Sequence, residues 1–318
     1  LRKIASLRPD VVTLDVEMPN VNGIAVLERA AGKLPVSFLM VSTLTQAGAL
    51  VTFEALRKGA FDYIAKPQTS GVSREEFTAD LIRKVLAAAR AKGRVRRVIA
   101  PATASNAPKL PPNRVRGWVV GIGISCGGPQ TLSEMLPAFP SDFVPIVVTQ
   151  HMPEQFTGPF AAQLDKVCAM NVREARAGEP LEQGTIYIAP GSHHLHIVRR
   201  GTLLSIELDG GPKVSGHRPS VDAMFQALAR ACGPRSVGVI MTGMGSDGAA
   251  GIRQLDAAGA WTVAQDEETS LVYGMPQAAA RTGAVHHVAG RDQIPGLVAK
   301  LLEQGARTGA TVGAGAGR

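Results

Sequence analysis

Short apolar runs and helical spacings alternate along the first part of this chain. Asp10–Asp15 (D-V-V-T-L-D), Val36–Ser42 and Asp62–Lys66 are compact runs of the kind a buried parallel strand needs. Between them, Gly23–Lys33 and Ala47–Gly59 carry apolar residues at helical spacing. Strand and helix in alternation predict an α/β unit with a parallel sheet. Ser73 then opens an S-R-E-E capping box, and an amphipathic helix follows through Phe77, Leu81, Val85 and Ala89.

The periodicity stops near Gly93. From there to Arg116 the chain holds four prolines, small residues and basic charge, the composition of an interdomain linker. Alternation resumes with Trp118–Gly128 (W-V-V-G-I-G-I-S-C-G-G), an apolar run that breaks into glycines. Thr131–Phe139 reads as the helix after it, with Pro129 near its start. Val144–Thr149, Ser236–Thr242, Gly259–Gln265 and Ala284–Val288 are further strand candidates, so a doubly wound parallel sheet is expected. The glycine- and alanine-rich Gly305–Arg318 is low complexity and is expected to be disordered. The expected organisation is a first domain at 1–92, a linker at 93–116, a second domain at 117–304 and a tail at 305–318.

Composition narrows the class. With 318 residues and 45% apolar content, two domains with substantial cores are affordable. No apolar run approaches the ~20 residues that span a bilayer, so no membrane insertion is expected. The net charge of +8 suggests nucleic acid until it is located. Arg83–Arg116 contains ten Lys or Arg and no Asp or Glu, and removing those ten leaves −2 for everything else. The basicity belongs to the linker, and a nucleic-acid partner is not expected. Cys126, Cys168 and Cys232 are an odd count without C-x-x-C spacing, which points to a reducing, cytoplasmic setting and away from structural zinc.

In parallel sheets the working residues gather at the carboxyl ends of strands. In the first domain those ends carry Asp15, Ser42 and Lys66: a carboxylate, a hydroxyl and a cation, as an acyl phosphate needs. In the second, Ser125, His151 and Asp247 each follow a predicted strand. Ester or amide hydrolysis needs a nucleophile, a base to take its proton and an acid to orient that base. G-I-S-C-G also matches a nucleophile elbow, but that fold runs Ser, acid, His, and here the order is Ser, His, Asp. Taken alone, the turn reads equally as one whose Ser caps a helix. Gly121-x-Gly123 also begins a dinucleotide fingerprint, although Cys126 stands where its last glycine or alanine belongs. His193, His194 and His196 lack a carboxylate or Cys at ligand spacing, and structural or surface roles are expected. His217 and Arg218 precede a Pro219-Ser220 helix start, where a capping or surface role is favoured over substrate binding. A surface place is expected for His286 and His287.

The motifs as a set are more specific than any one of them. D-V-E-M-P-N-V-N-G, M-V-S-T-L-T and A-K-P, each after a strand, resemble the flavodoxin-like receiver domain of response regulators. That resemblance implies Asp15 as phosphoacceptor, Ser42 and Lys66 on the phosphoryl oxygens, and Tyr63 as the switch aromatic. A receiver orders five strands 2-1-3-4-5 and holds Mg²⁺ with an acidic pair after the first. The chain opens in what resembles the second helix, so the domain is expected to be incomplete, without its first two strands and that pair. Asp10–Asp15 would be an unpaired edge, and hydrolysis by the chain would not be switched by phosphorylation.

G-I-S-C-G-G-P-Q-T-L, V-T-Q-H-M-P, A-P-G-S-H-H-L, R-P-S-V-D, T-G-M-G-S-D-G-A-A-G and A-Q-D-E-E-T-S-L-V-Y-G-M-P resemble successive blocks of the chemotaxis protein-glutamate methylesterase domain. The resemblance implies a cytoplasmic serine hydrolase of chemoreceptor glutamyl methyl esters, a carboxylic ester hydrolase that often deamidates receptor glutamines too. Ser125, His151 and Asp247 would be its triad, and Met244 would offer a backbone N–H near the oxyanion. Hydrolysis would need no cofactor, and Mg²⁺ would serve receiver phosphorylation where the acidic pair is present. Chemoreceptors would be the substrate and the chemotaxis histidine kinase the phosphodonor. The family usually has Thr at the place of Cys126, and a thiol there, near a helix N-terminus, is expected to be accessible and partly ionised or else packed on the sheet. Two rival readings are a catalytically silent receptor-binding regulator and a nucleotide-binding module.

Overall fold

The computed structural model describes residues 1–18, 22–42, 45–67, 74–91, 115 and 117–313. The Ser73 capping box, nearly all of the expected linker and residues 314–318 lie outside the described residues. The chain divides into two compact units, Leu1–Pro101 and Ala102–Arg318, with the division inside the stretch expected to be linker.

The first unit runs α1 (Arg2–Leu7), β1 (Val11–Asp15), α2 (Gly23–Ala30), β2 (Ser37–Ser42), α3 (Gln46–Arg57), β3 (Asp62–Ala65) and α4 (Arg74–Arg90). Its three strands are parallel in the order β1-β2-β3, so β1 is an edge among the described residues. Phe38, Leu39 and Met40 of the middle strand are fully buried, as apolar runs covered on both faces should be. The Ser37 hydroxyl donates to the Ala88 carbonyl at 2.9 Å and ties α4 to the sheet. The register sets Asp15 beside Val41 and Ser42 beside Ala65, which brings all three carboxyl ends to one edge.

In the second unit β4 (Val119–Ile124), α5 (Gly128–Met135), β5 (Ile146–Gln150), α6 (Glu154–Asp165), β6 (Asn171–Glu174) and β7 (Thr185–Ile188) come first. A hairpin, β8 (His194–Arg200) with β9 (Leu203–Asp209), precedes α7 (Val221–Cys232), β10 (Ser236–Ile240), α8 (Ala249–Ala257), β11 (Trp261–Gln265), α9 (Met275–Ala280), β12 (His287–Ala289) and α10 (Ile294–Gly313). Seven strands form one parallel sheet in the order β12-β11-β10-β4-β5-β7-β6. The chain builds outward from β4 to one edge, then returns to β10 and builds to the other. The direction therefore reverses between β4 and β10, which opens a crevice at their carboxyl ends.

Helix α7 lies so close to the sheet because β4 carries glycines on one face. A Cβ on Gly123 would meet Val221 Cγ1 at 2.1 Å, and one on Gly121 would meet Leu228 Cδ2 at 2.7 Å. Val221, Met224, Phe225 and Leu228 fill that contact and join the core with Val119, Ile240 and Leu255. Gly121 and Gly123 are thus packing positions, which accounts for both glycines without a nucleotide.

One expectation is corrected here. Helix α10 continues through Gly305 to Gly313, where a disordered tail was expected from Gly305 on. A Cβ on Gly305 would run into the Trp118 ring, so glycine there lets the helix close onto the aromatic. Small residues look like low complexity in sequence but pack well against a large ring. No helix of the described residues is long and apolar enough to cross a membrane.

Candidate active site

Ser125 begins the turn after β4, His151 the loop after β5, and Asp247 the turn that leads into α8 after β10. Since β10, β4 and β5 are neighbours, sheet order alone brings these three loops together. Ser125 Oγ lies 3.0 Å from His151 Nδ1, and His151 Nε2 lies 2.8 Å from Asp247 Oδ2. Nδ1 thus faces the hydroxyl and Nε2 the carboxylate, the reverse of the nitrogen assignment in chymotrypsin-type triads. A base at Nδ1 requires the imidazole proton on Nε2, which donates a hydrogen bond to an ionised Asp247.

Each member is held by backbone. The Ser125 N–H donates to Thr242 O at 2.9 Å, and its carbonyl accepts from the Gly128 N–H at 2.8 Å and from Gln150 Nε2 at 2.9 Å. Gln150 Nε2 also donates to the His151 carbonyl at 3.1 Å, so one amide clamps both loops. Gly127 caps α5 with φ 75°, a left-handed conformation that favours glycine. Gly243 sits behind Ser125, where a Cβ would meet the Ser125 Cβ at 2.8 Å. Its neighbour Met244 has a backbone N–H that meets no acceptor among the described residues.

Asp247 is buried at the N-terminus of α7. It accepts from Ser220 Oγ (2.8 Å), the Val221 N–H (2.8 Å) and the Asp222 N–H (2.9 Å) besides His151. Burial pushes its carboxyl up. The hydrogen bond and charge of His151, with the Asp222 and Val221 N–H groups, outweigh this and hold it below the ordinary carboxylate value. The free N–H groups of a helix start are well suited to that negative charge.

In the first unit Lys66 Nζ lies 2.5 Å from Asp15 Oδ2, and the Glu17 N–H donates to Asp15 Oδ1 at 3.1 Å. Partial burial raises the Asp15 carboxyl, but the Lys66 hydrogen bond and charge and the backbone N–H groups bring it below its ordinary value. Ser42 is buried at the neighbouring strand end, its hydroxyl donating to Gly48 O at 3.3 Å. Tyr63 is buried in β3, with Lys84 Nζ 5.0 Å from its ring centre. No group of three or more His, Cys, Asp or Glu among the described residues could hold a metal ion. Asp15 offers one carboxylate, and the described residues do not make a magnesium site.

Residues 120–298 match the family described as CheB methylesterase, and residues 1–76 match the response regulator receiver domain. The chain belongs to the CheB methylesterase family. A protein-glutamate methylesterase/protein-glutamine glutaminase of Caulobacter vibrioides is 48% identical over 285 residues, covering 89% of this chain and 81% of that one. One from Pyrococcus horikoshii is 42% identical over 307 residues, covering 95% and 83%. The crystal structure of the Thermotoga maritima CheB methylesterase catalytic domain superposes with a TM-score of 0.56 at 38% identity, over 59% of this chain and 98% of that one.

Within this CheB-family site, the Cys126 thiol is not accessible. Cys126 is 4% exposed, and its carbonyl accepts from Thr242 Oγ1 at 2.9 Å, which holds the backbone on the sheet side. The packed alternative is the one observed. Of the other thiols, Cys232 is buried and Cys168 half-buried; partial burial, with some help from Asp165, pushes Cys168 up to about 12. Burial pushes Cys232 up to about 11 against the opposing effect of Arg199. His194 is buried, accepting the Ser220 N–H at Nδ1 (3.2 Å) and donating from Nε2 to Pro212 O (3.0 Å), a structural role. His286 is exposed with Nδ1 on Thr262 Oγ1 at 2.6 Å.

Three residues that support the CheB-family site escaped sequence reasoning. In the sequence Gln150 is no more than the residue before His151. Asp222 was not singled out, although R-P-S-V-D marked the helix start whose N–H groups receive Asp247. His217 was assigned to a cap or the surface, yet its ring stacks on that of His151.

Proposed function

We propose that this chain hydrolyses γ-glutamyl methyl esters of chemoreceptors, with Ser125 as nucleophile, His151 as base and Asp247 as orienting acid. The observation that carries the reading is the continuous chain Ser125 Oγ–His151 Nδ1–His151 Nε2–Asp247 Oδ2, at 3.0 and 2.8 Å, at the switch point of the sheet. The relatives' names, protein-glutamate methylesterase/protein-glutamine glutaminase, supply the substrate class.

The chemistry follows from the distances. Ser125 Oγ attacks the ester carbonyl carbon while its proton passes to His151 Nδ1. The carbonyl oxygen becomes an oxyanion, which accepts a hydrogen bond from the Met244 N–H. His151 Nδ1 then returns its proton to the methoxy oxygen, methanol leaves, and a glutamyl–Ser125 ester remains. Water, deprotonated by the same nitrogen, attacks that ester; the proton passes on to Ser125 Oγ as it leaves, and the receptor keeps a glutamyl carboxylate. Asp247 keeps the proton on Nε2 and stabilises the imidazolium throughout. With glutamine in place of the ester, the same steps release ammonia.

In the receiver unit Asp15 is the phosphoacceptor and the chemotaxis histidine kinase its donor. Lys66 and Ser42 contact the phosphoryl oxygens, and Tyr63 is the switch aromatic. The Lys66–Asp15 contact at 2.5 Å supports this assignment.

Methanol release from methylated receptor membranes tests the proposal. Ser125→Ala should lose up to ~10⁶ in kcat, because nucleophile and base act as a unit. Retention of a tenth of wild-type release would remove Ser125 as nucleophile.

A further inference from the structure

The ring of His217 lies flat on that of His151, the middle member of the hydrogen-bonded chain Ser125–His151–Asp247. The centroids are 3.7 Å apart and the planes 6° from parallel, which is contact across a whole ring face. This placement is built, not incidental. Val214 and His217 exchange both backbone hydrogen bonds, at 3.0 and 2.9 Å, around Ser215 and Gly216. Those two residues have φ of 52° and 82°, as a two-residue type I′ turn requires.

The turn is braced from below. Ser215 Oγ donates to Asp222 Oδ2 at 2.6 Å, and the Gly251 N–H donates to Asp222 Oδ1 at 2.7 Å. Asp222 is 3% exposed, and its own N–H donates to Asp247 Oδ1 at 2.9 Å. The N-terminus of α7 therefore holds the carboxylate beneath one imidazole nitrogen and also the turn that lays a second ring over the imidazole face.

We infer that His217 is a positioning residue for His151. Its consequence for turnover rests on the hydrolase reading above, although its geometry does not. In the resting site both nitrogens of His151 are hydrogen-bonded. Once Oγ has bonded to the acyl carbon, Nδ1 must turn its proton toward the leaving oxygen, and only Nε2 stays anchored, on Asp247. A ring held at one atom swings about that bond. The flat face of His217 blocks the swing on one side and keeps Nδ1 aimed at the reacting atoms. A planar ring does this, and a methyl group does not.

The rate at which a fluorophosphonate labels Ser125 reads the Ser–His pair without any receptor substrate. His217→Ala should slow labelling about tenfold to a hundredfold, the scale of a misaligned catalytic group. His217→Phe should recover most of the rate, because the ring face is kept. Ser215→Ala, an exposed change that leaves both rings intact, should slow labelling less than His217→Ala, since it loosens only the brace. In methanol release the His217→Ala loss should fall on kcat with KM little changed, because ground-state binding is untouched. Wild-type labelling in His217→Ala would overturn the inference, and so would His217→Phe labelling no faster than His217→Ala. If wild type releases no methanol while labelling still follows the ring, the substrate reading fails and the positioning role stands. If methanol is released and His217→Ala matches wild type in both assays, the positioning role fails and the substrate reading stands.

Discussion

Replacing Asp247 with Asn tests how much the site depends on one buried negative charge. Asp247 Oδ1 receives the Ser220 hydroxyl and the Asp222 N–H, and Oδ2 receives the Val221 N–H and His151 Nε2. Both oxygens thus face a backbone N–H, which can only donate. Whichever position the new NH₂ takes, it opposes one such donor. A donor left unsatisfied in a buried site costs about 1–3 kcal/mol, so the melting temperature should fall by several degrees.

The catalytic loss should be larger. Both placements remove the charge that stabilises the imidazolium. The placement on the Oδ2 side also makes Nε2 an acceptor and puts the proton on Nδ1, where it cannot take one from Ser125. Tautomer loss of this kind costs up to ~10⁴ in kcat, about 5.4 kcal/mol of barrier at about 1.36 kcal/mol per tenfold. Methanol release and thermal unfolding measured on the same preparations check both numbers.

The pH dependence adds a sign. The Asp247 carboxyl is lowered in the folded state from its ordinary 3.8, so its stabilisation is complete above that value. It is lost as pH falls through the folded value. The stability gap between wild type and Asp247→Asn should therefore be full above pH 3.8 and narrow below it. An Asn variant within tenfold of wild-type turnover would refute this account of the carboxylate.

Two further outcomes follow from the same geometry. The 4% exposed Cys126 should resist iodoacetamide in the native protein and react only on unfolding, while Cys126→Ser stays active; native-state modification that tracks inactivation would contradict its burial. Lys66→Ala should raise the Asp15 carboxyl toward its ordinary value, since the Lys66 hydrogen bond and charge, together with the Glu17 and Val16 N–H groups, offset burial there. Carbon-13 NMR titration of the Asp15 carboxyl reads this directly, and an unchanged midpoint would rule the Lys66 contact out as the cause.

Much of this protein is readable from the chain alone, because its strands are short and apolar and its candidate site residues stand at their ends. The runs at Asp10–Asp15, Val36–Ser42 and Ser236–Thr242 became β1, β2 and β10 within a residue or two. Buried parallel strands must be apolar throughout, so they announce themselves. Strands β6 and β7 went unread, since Asn171–Glu174 and Thr185–Ile188 are too short to carry a period. Ser125, His151 and Asp247 were legible because strand ends in a parallel sheet share one edge. Their order in space was not: only the pairing of β10, β4 and β5 makes them neighbours. Tertiary structure alone decided which imidazole nitrogen meets the serine, because that depends on how the loop after β5 leaves the sheet. It also decided that Cys126 turns inward and that His217, 66 residues after His151, lies on its ring. Such contacts pair residues distant in sequence with no common period, and only the packing of α7 against the β4 glycines brings them together.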